Sequence, residues 1–143
     1  MKKTMFMICL LSFIVTLVSA QEIGVRFGDV NGGNVAVEAV FGTSKFSRIH
    51  ADASFGNGFA LDVLWDFIYQ PLGGEAFNWY LGAGPYAFFG SPFQLGLVGE
   101  IGLEYHFRGI PLAIGGDWRP NFRIIDNTDF DWGGFGFNIR LVF

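Results

Sequence analysis

The stretch SRIHADASFG, residues 47–56, decides the fold. In an extended chain Arg48, His50, Asp52 and Ser54 fall on one side and Ile49, Ala51, Ala53 and Phe55 on the other. In a sheet bathed by water the apolar side is core and the charged side faces solvent. In a barrel that spans a bilayer the assignment inverts, with hydrocarbon meeting lipid and charge lining a lumen. The flanking sequence has to say which case applies.

The same alternation runs outward in both directions. Upstream, Ile23, Val25 and Phe27 oppose Gly24 and Arg26, and Val35, Val37, Ala39 and Phe41 oppose Ala36, Glu38 and Val40. Downstream, Phe59, Leu61, Val63, Trp65 and Phe67 oppose Asp62 and Asp66, and Phe77, Trp79, Leu81, Ala83 and Ala87 oppose Asn78, Tyr80, Gly82, Gly84 and Tyr86. A sixth run sets Leu95, Leu97, Ile101, Leu103, Tyr105 and Phe107 against Gln94, Gly96, Glu100, Gly102, Glu104 and His106. A seventh sets Leu112, Ile114, Trp118 and Phe122 against Asp117, Arg119, Asn121 and Arg123, and the last sets Phe135, Phe137, Ile139, Leu141 and Phe143 against Gly134, Gly136, Asn138 and Arg140. Runs of about 8 to 11 residues are long enough to cross a bilayer as tilted strands. Asn31–Gly33, Gly56–Gly58 and Gly90–Pro92 read as tight hairpin links and Tyr69–Ala76 as a longer one. The expectation is an all-β, eight-stranded antiparallel up-and-down barrel.

The first twenty residues stand apart. Lys2 and Lys3, an apolar run from Met5 to Val18, and small residues Ser19 and Ala20 have the three-part layout of a cleaved secretory signal peptide. That divides the chain into a leader at 1–20 and one barrel domain at 21–143. The single cysteine, Cys9, lies in the leader, so the mature domain is expected to hold no disulfide and no thiolate metal site. Lys2 and Lys3 are two of the 9 basic residues, so the remainder carries 7 against 13 acidic ones, a net charge of −6 that does not invite nucleic acid.

Composition of the polar face separates the two assignments. A solvated sheet face is expected to carry freely hydrated lysine, threonine and glutamine. Here that face carries Arg, Asp, Glu, His, Tyr and many Gly, and only one lysine, Lys45, remains beyond the leader. Mixed charge and small residues suit a narrow enclosed space. With the hairpin links above, Arg26 falls opposite Glu38, Arg48 opposite Asp66, Tyr80 opposite Gly102 and Tyr86 opposite Gly96, giving two cross-strand ion pairs and two large-against-small pairs. The apolar face carries an aromatic girdle of Phe41, Trp65, Phe67, Trp79, Tyr105, Phe107 and Trp118, the ring type that bilayer interfaces select. A soluble lipocalin-like binder of apolar ligands would have to fit these rings inside eight strands, which leave little room for them. The reading is therefore charge inside and hydrocarbon outside.

The chain ends in GFNIRLVF, residues 136–143. Phe137, Ile139, Leu141 and Phe143 resemble the C-terminal assembly signal of bacterial outer-membrane barrels, with Asn138 where that signature often has glycine. With the leader and the strand number, the mature chain resembles the small eight-stranded outer-membrane barrels of the OmpX/OmpA type. That resemblance implies export by the general secretory route, insertion into the outer membrane by the barrel assembly machinery, outer-membrane lipids as partners, and both chain ends in the periplasm.

Candidate chemistry on the inward face is an ion-pair network of Arg26, Glu38, Arg48, His50, Asp52, Asp62, Asp66, Glu100, Glu104, Asp117, Arg119 and Arg140. His50, Asp52 and Ser54 do not form a catalytic triad, because same-face neighbours on a strand stand about 7 Å apart. Asp52 falls opposite Asp62; such pairs can be catalytic in aspartate-based outer-membrane proteases, but those barrels are larger and hold their acids at the outer rim. Lipid A deacylases carry His-x-Ser, whereas this chain has His50-Ala51-Asp52 and His106-Phe107-Arg108, so their catalytic residues do not carry over. The expectation is no catalytic residue, no metal and no cofactor, in a barrel with an envelope role. A lipid-modifying or proteolytic barrel enzyme is the alternative.

Overall fold

A computed structural model describes residues 3–5, 7–8, 21–31, 33–73, 76–125 and 127–143. Of the expected leader, residues 3–5, 7 and 8 are helical; Cys9 and the cleavage site lie outside the described residues. Ten strand segments follow: β1 (Glu22–Val30), β2 (Gly33–Ser44), β3 (Ser47–Gly56), β4 (Phe59–Pro71), β5 (Phe77–Phe89), β6 (Gln94–His106), β7 (Leu112–Trp118), β8 (Asn121–Ile125), β9 (Asp129–Asp131) and β10 (Phe135–Val142).

These segments make eight staves. β7 and β8 both pair with β6 and form one stave, broken where Pro120 lacks an N–H to give to the ladder. The carbonyl of Pro120 still accepts from the Gly99 N–H at 2.9 Å, so the break is local. β9 pairs with β8 and β10 with β7, forming the eighth stave, and β10 pairs with β1 from Glu22↔Val142 to Gly28↔Gly136. β5 pairs with β6, so the antiparallel ring closes and leaves no free edge among these staves. Both ends of the barrel segment, Gln21 and Phe143, lie at one end of the barrel, where the Phe143 N–H donates to the Gln21 carbonyl at 2.8 Å.

Register follows the turns. Arg48↔Asp66, Asp52↔Asp62, Tyr80↔Gly102 and Tyr86↔Gly96 stand as expected. The first hairpin differs. Arg26 faces Ala36, and Glu38 faces Gly24, so the expected Arg26–Glu38 cross-strand pair does not form. Two displacements of one residue account for this. Val30 pairs with Gly33, which makes the turn one residue shorter than expected, and a bulge between Phe27 and Val30 absorbs one more. Gly28 sits in that bulge at φ 127°, a conformation that side chains disfavour, and a Cβ there would lie 2.8 Å from the Gly136 Cα. The link expected at Tyr69–Ala76 is shorter than read, since β4 continues to Pro71; a bulge between Asp66 and Ile68 turns Tyr69 inward. The connection between Arg123 and Asp131 is a tight hairpin, with Ile125 ending β8 and Asp129 starting β9.

Alternation sorts the side chains as the sequence indicates. Buried residues include Arg26, Glu38, His50, Asp66, Arg140 and Tyr80, each at 0% exposure. The large apolar side chains point outward, among them Trp65 at 54%, Phe137 at 48% and Leu141 at 53%. An apolar core in the usual sense is reduced to Leu64, Tyr86 and Val98.

Candidate functional site

The lumen is filled from its walls by two linked groups of charge. Towards the chain ends, Arg48 gives its Nε to Asp66 Oδ2 at 2.9 Å and grips Glu104 with both terminal nitrogens at 2.9 and 3.0 Å. This two-point grip suits the planar guanidinium. The Arg48 Cζ also lies 4.0 Å from the Tyr69 ring centroid and 4.6 Å from that of Tyr80, so two aromatic faces hold the cation. Arg140 bonds Glu104 and stands 3.5 Å from both Glu22 and Glu38.

Towards the hairpin end, Arg119 gives its Nε to Glu100 Oε2 at 2.9 Å, reaches Glu38 Oε1 at 3.2 Å and bonds Asp52. Arg26 reaches past β10 to Asp117, with Nε and Nη2 donating to Oδ1 at 2.9 and 2.6 Å, and satisfies the carbonyls of Asp29 and Gly134. Asp117 also receives the Tyr80 hydroxyl at 3.4 Å and the Asn138 amide at 3.3 Å. Asp62 is held by the Asn31 amide at 3.1 Å. His50 lies between the two groups, with Nδ1 3.3 Å from Glu38 and 3.4 Å from Glu100 and Nε2 3.2 Å from Asp66.

All twelve charged residues read as lumen groups are thus inside one barrel and in contact with one another or with a neutral partner. Asp52 and Asp62 are opposed as expected, yet each has its own partner, Arg119 for the first and Asn31 for the second. Two members were missed. Glu22 contacts both Arg48 and Arg140, and its parity with Gly24 and Arg26 was the available signal. Tyr69 was hidden by the bulge in β4, which changes parity without a sequence marker. His106, near the chain ends, bonds Glu104 at 2.8 Å and contacts the Tyr69 hydroxyl at 3.3 Å.

Among the described residues, the recesses inside the barrel lie at its mouths, one of them, of about 280 Å³, lined by Tyr86, Asn121 and Arg123 at the hairpin end. A recess of about 60 Å³ at the hairpin end is floored by Arg26, Asp62 and Arg119, and one of about 370 Å³ at the other end by Arg48 and Glu22. Between them stand Tyr80 and the ion pairs. The Tyr80 ring occupies the position that a Cβ on Gly102 would take, which is the interior consequence of a large residue facing a glycine.

Outside, aromatic rings form contact chains at both ends. Phe55, Phe59, Phe89 and Phe93 follow one another at centroid separations of 5.2, 5.9 and 5.6 Å near the hairpin end. Phe77, Tyr105 and Phe107 do so at 4.9 and 5.0 Å near the chain ends, and Trp65 meets Phe67 at 5.8 Å. Trp79 flanks an outward groove that also contains Ile101, Leu103, Trp118 and Phe135. Trp118 stacks on Trp132 and Phe135 across the seventh and eighth staves. Phe41 lies on the outer face of β2, opposite Ile49. Phe137, Ile139, Leu141 and Phe143 line the outer face of the closing strand and its end. Among the described strand residues, the exposed charged ones are Asp29, Asp129 and Asp131, in β1 and β9 near the hairpin end. Compared with protein-family models, curated proteins and solved structures, the chain matches none.

Proposed function

We propose that this chain is an integral outer-membrane β-barrel of the small eight-stranded kind, with a structural role in the envelope and a plugged lumen that neither catalyses nor conducts. One observation carries the reading: the polarity of the molecule is inverted. Its exposed strand positions hold many large apolar side chains, with charge among them only at Asp29, Asp129 and Asp131 near the hairpin end, and twelve Asp, Glu and Arg residues are buried. Soluble monomers rarely expose apolar patches beyond a few hundred Å². A continuous belt of Phe, Trp, Leu, Ile and Val is stable in contact with lipid. The closed ring supports it further, because a bilayer tolerates strands only where every backbone group is paired.

In this reading the leader directs secretion, residues 136–143 engage the barrel assembly machinery, and the short hairpins face outward. A plugged lumen is supported by the buried ion pairs and by Tyr80, which fill the space between the two mouths. An enzymatic reading is disfavoured by the same geometry: the inward carboxylates already have partners, and the recesses reach them only at the rims. Fractionation of a Gram-negative host expressing the full chain tests the proposal. The protein should remain with the outer membrane through alkaline extraction, migrate faster on SDS gels unboiled than boiled, and give no steady conductance in planar bilayers. Recovery as a soluble periplasmic protein would overturn it, and a steady channel would replace the plugged lumen by a small pore.

A further inference from the structure

The lumen is short of positive charge. Among the described residues, eight buried carboxyl groups face four buried guanidinium groups. Uncompensated charge in a poorly hydrated space is costly, so the excess is met either by protons on the carboxyl groups or by a cation held inside.

Arginine pairing is uneven. Glu104 meets Arg48 and Arg140, and Asp117 meets Arg26 and, at 3.6 Å, Arg119, whereas Asp52, Asp66 and Glu100 have one arginine each. His50 on β3, Asp66 on β4 and Glu100 on β6 each offer a ligand atom within 4.8 Å of the other two, and all three are buried. His50 Nε2, Asp66 Oδ1 and Glu100 Oε1 make no hydrogen bond. Their positions are nevertheless fixed, because Asp66 Oδ2 is anchored by Arg48 and Glu100 Oε2 by Arg119. Carboxylate oxygens of Asp66 and Glu100 lie within 4.8 Å of each other, so a proton or a cation between them relieves their repulsion. The other ring nitrogen of His50, Nδ1, lies 3.3 Å from Glu38 Oε1 and 3.4 Å from Glu100 Oε1, with Arg119 Nη2 also at 3.3 Å. With a cation on Nε2, Nδ1 carries the proton and donates it to Glu38, the carboxylate–histidine support common behind metal-bound imidazoles.

We propose that His50, Asp66 and Glu100 bind one divalent transition cation of the zinc class inside the barrel. One imidazole and two carboxylates form a three-ligand nitrogen–oxygen set of the kind that accepts Zn²⁺ or Co²⁺. The ion joins staves β3, β4 and β6 through the lumen and offsets charge that the arginines leave unpaired. Its role is structural, since the surrounding side chains leave no room for a substrate. The site rests on the lumen geometry alone and holds whether the outer face meets lipid or water.

Because the site is sealed, the cation has to enter during folding. The test refolds the purified full chain in detergent with Co²⁺ or without metal, desalts it, and measures bound cobalt per chain by elemental analysis and its visible absorption, with circular dichroism as an independent check of folding. We expect about one Co²⁺ per folded chain with ligand-field bands, and at least a tenfold loss of occupancy in His50→Gln and Glu100→Gln. His106→Gln, which alters the rim cluster of Glu22, Glu104 and His106, should retain the ion. A folded wild-type barrel that holds no cobalt overturns the proposal, as does full retention in His50→Gln or loss in His106→Gln. If neither lumen variant folds, the wild-type stoichiometry and spectrum decide alone. Membrane extraction is not part of the readout, so a failure here is separate from a failure of the membrane reading.

Discussion

Replacing Arg26 by Met isolates what the lumen network contributes. The guanidinium has 0% side-chain exposure, as does Asp117, its carboxylate partner. The substitution removes four hydrogen bonds, two to the charged Asp117 Oδ1 and two to the carbonyls of Asp29 and Gly134. Breaking a buried pair from one side costs about 3–5 kcal/mol. Asp117 keeps the Tyr80 hydroxyl, the Asn138 amide and Arg119 at 3.6 Å, so the loss should fall near the lower end, about 3 kcal/mol. Adding Asp117→Asn removes the stranded charge and should restore part of that loss, giving a coupling of about 1–3 kcal/mol in a double-mutant cycle. The cycle with Glu38→Gln should give a smaller coupling, because Arg26 faces Ala36 and makes no contact with Glu38. Urea titrations of the refolded protein, followed by tryptophan fluorescence, measure all three. Coupling of Arg26 to Glu38 equal to or above that to Asp117 would refute the Arg26–Asp117 assignment.

Three further substitutions probe other parts of the structure. Ile101→Arg, at an outward position midway along β6, should impair insertion into lipid vesicles by about 2–4 kcal/mol, and unimpaired insertion would mean that this face does not meet the bilayer centre. Gly102→Val places a Cβ on the Tyr80 ring and should cost about 1–3 kcal/mol, whereas Gly99→Val, with Pro120 at 3.9 Å as its nearest contact, should be near neutral; equal urea midpoints for the two would put Tyr80 elsewhere. Deleting Phe143 should slow barrel assembly in cells while leaving export to the periplasm intact, and a normal yield of heat-modifiable barrel would remove the terminal residue from the assembly signal.

Face assignment was legible in the sequence because it depends only on parity, and parity survives wherever the strand is regular. Arg48, His50, Asp52 and Ser54 are all inside. Register was legible where the turn length was right, as at Gly56–Gly58, and failed at the first hairpin, where a bulge at Gly28 shifts pairing without changing which face Arg26 occupies. Ion-pair partners were the least legible. A reading from adjacent strands considers neighbours along one wall, whereas Arg26 and Asp117 lie on staves separated by β10, and Arg119 reaches Asp52 across the lumen. Such contacts depend on barrel closure and on side-chain length, neither of which a strand pattern encodes.

The inverted polarity itself is open to one direct measurement. All four tryptophans, Trp65, Trp79, Trp118 and Trp132, lie on the outer surface, so the intrinsic fluorescence reports the outer face alone. With the protein folded in vesicles of phospholipids brominated along the acyl chain, the account predicts blue-shifted emission, strongly quenched relative to unbrominated vesicles and little affected by aqueous iodide. Red-shifted emission that iodide quenches and brominated lipid does not would contradict it, because the apolar belt would then be facing water.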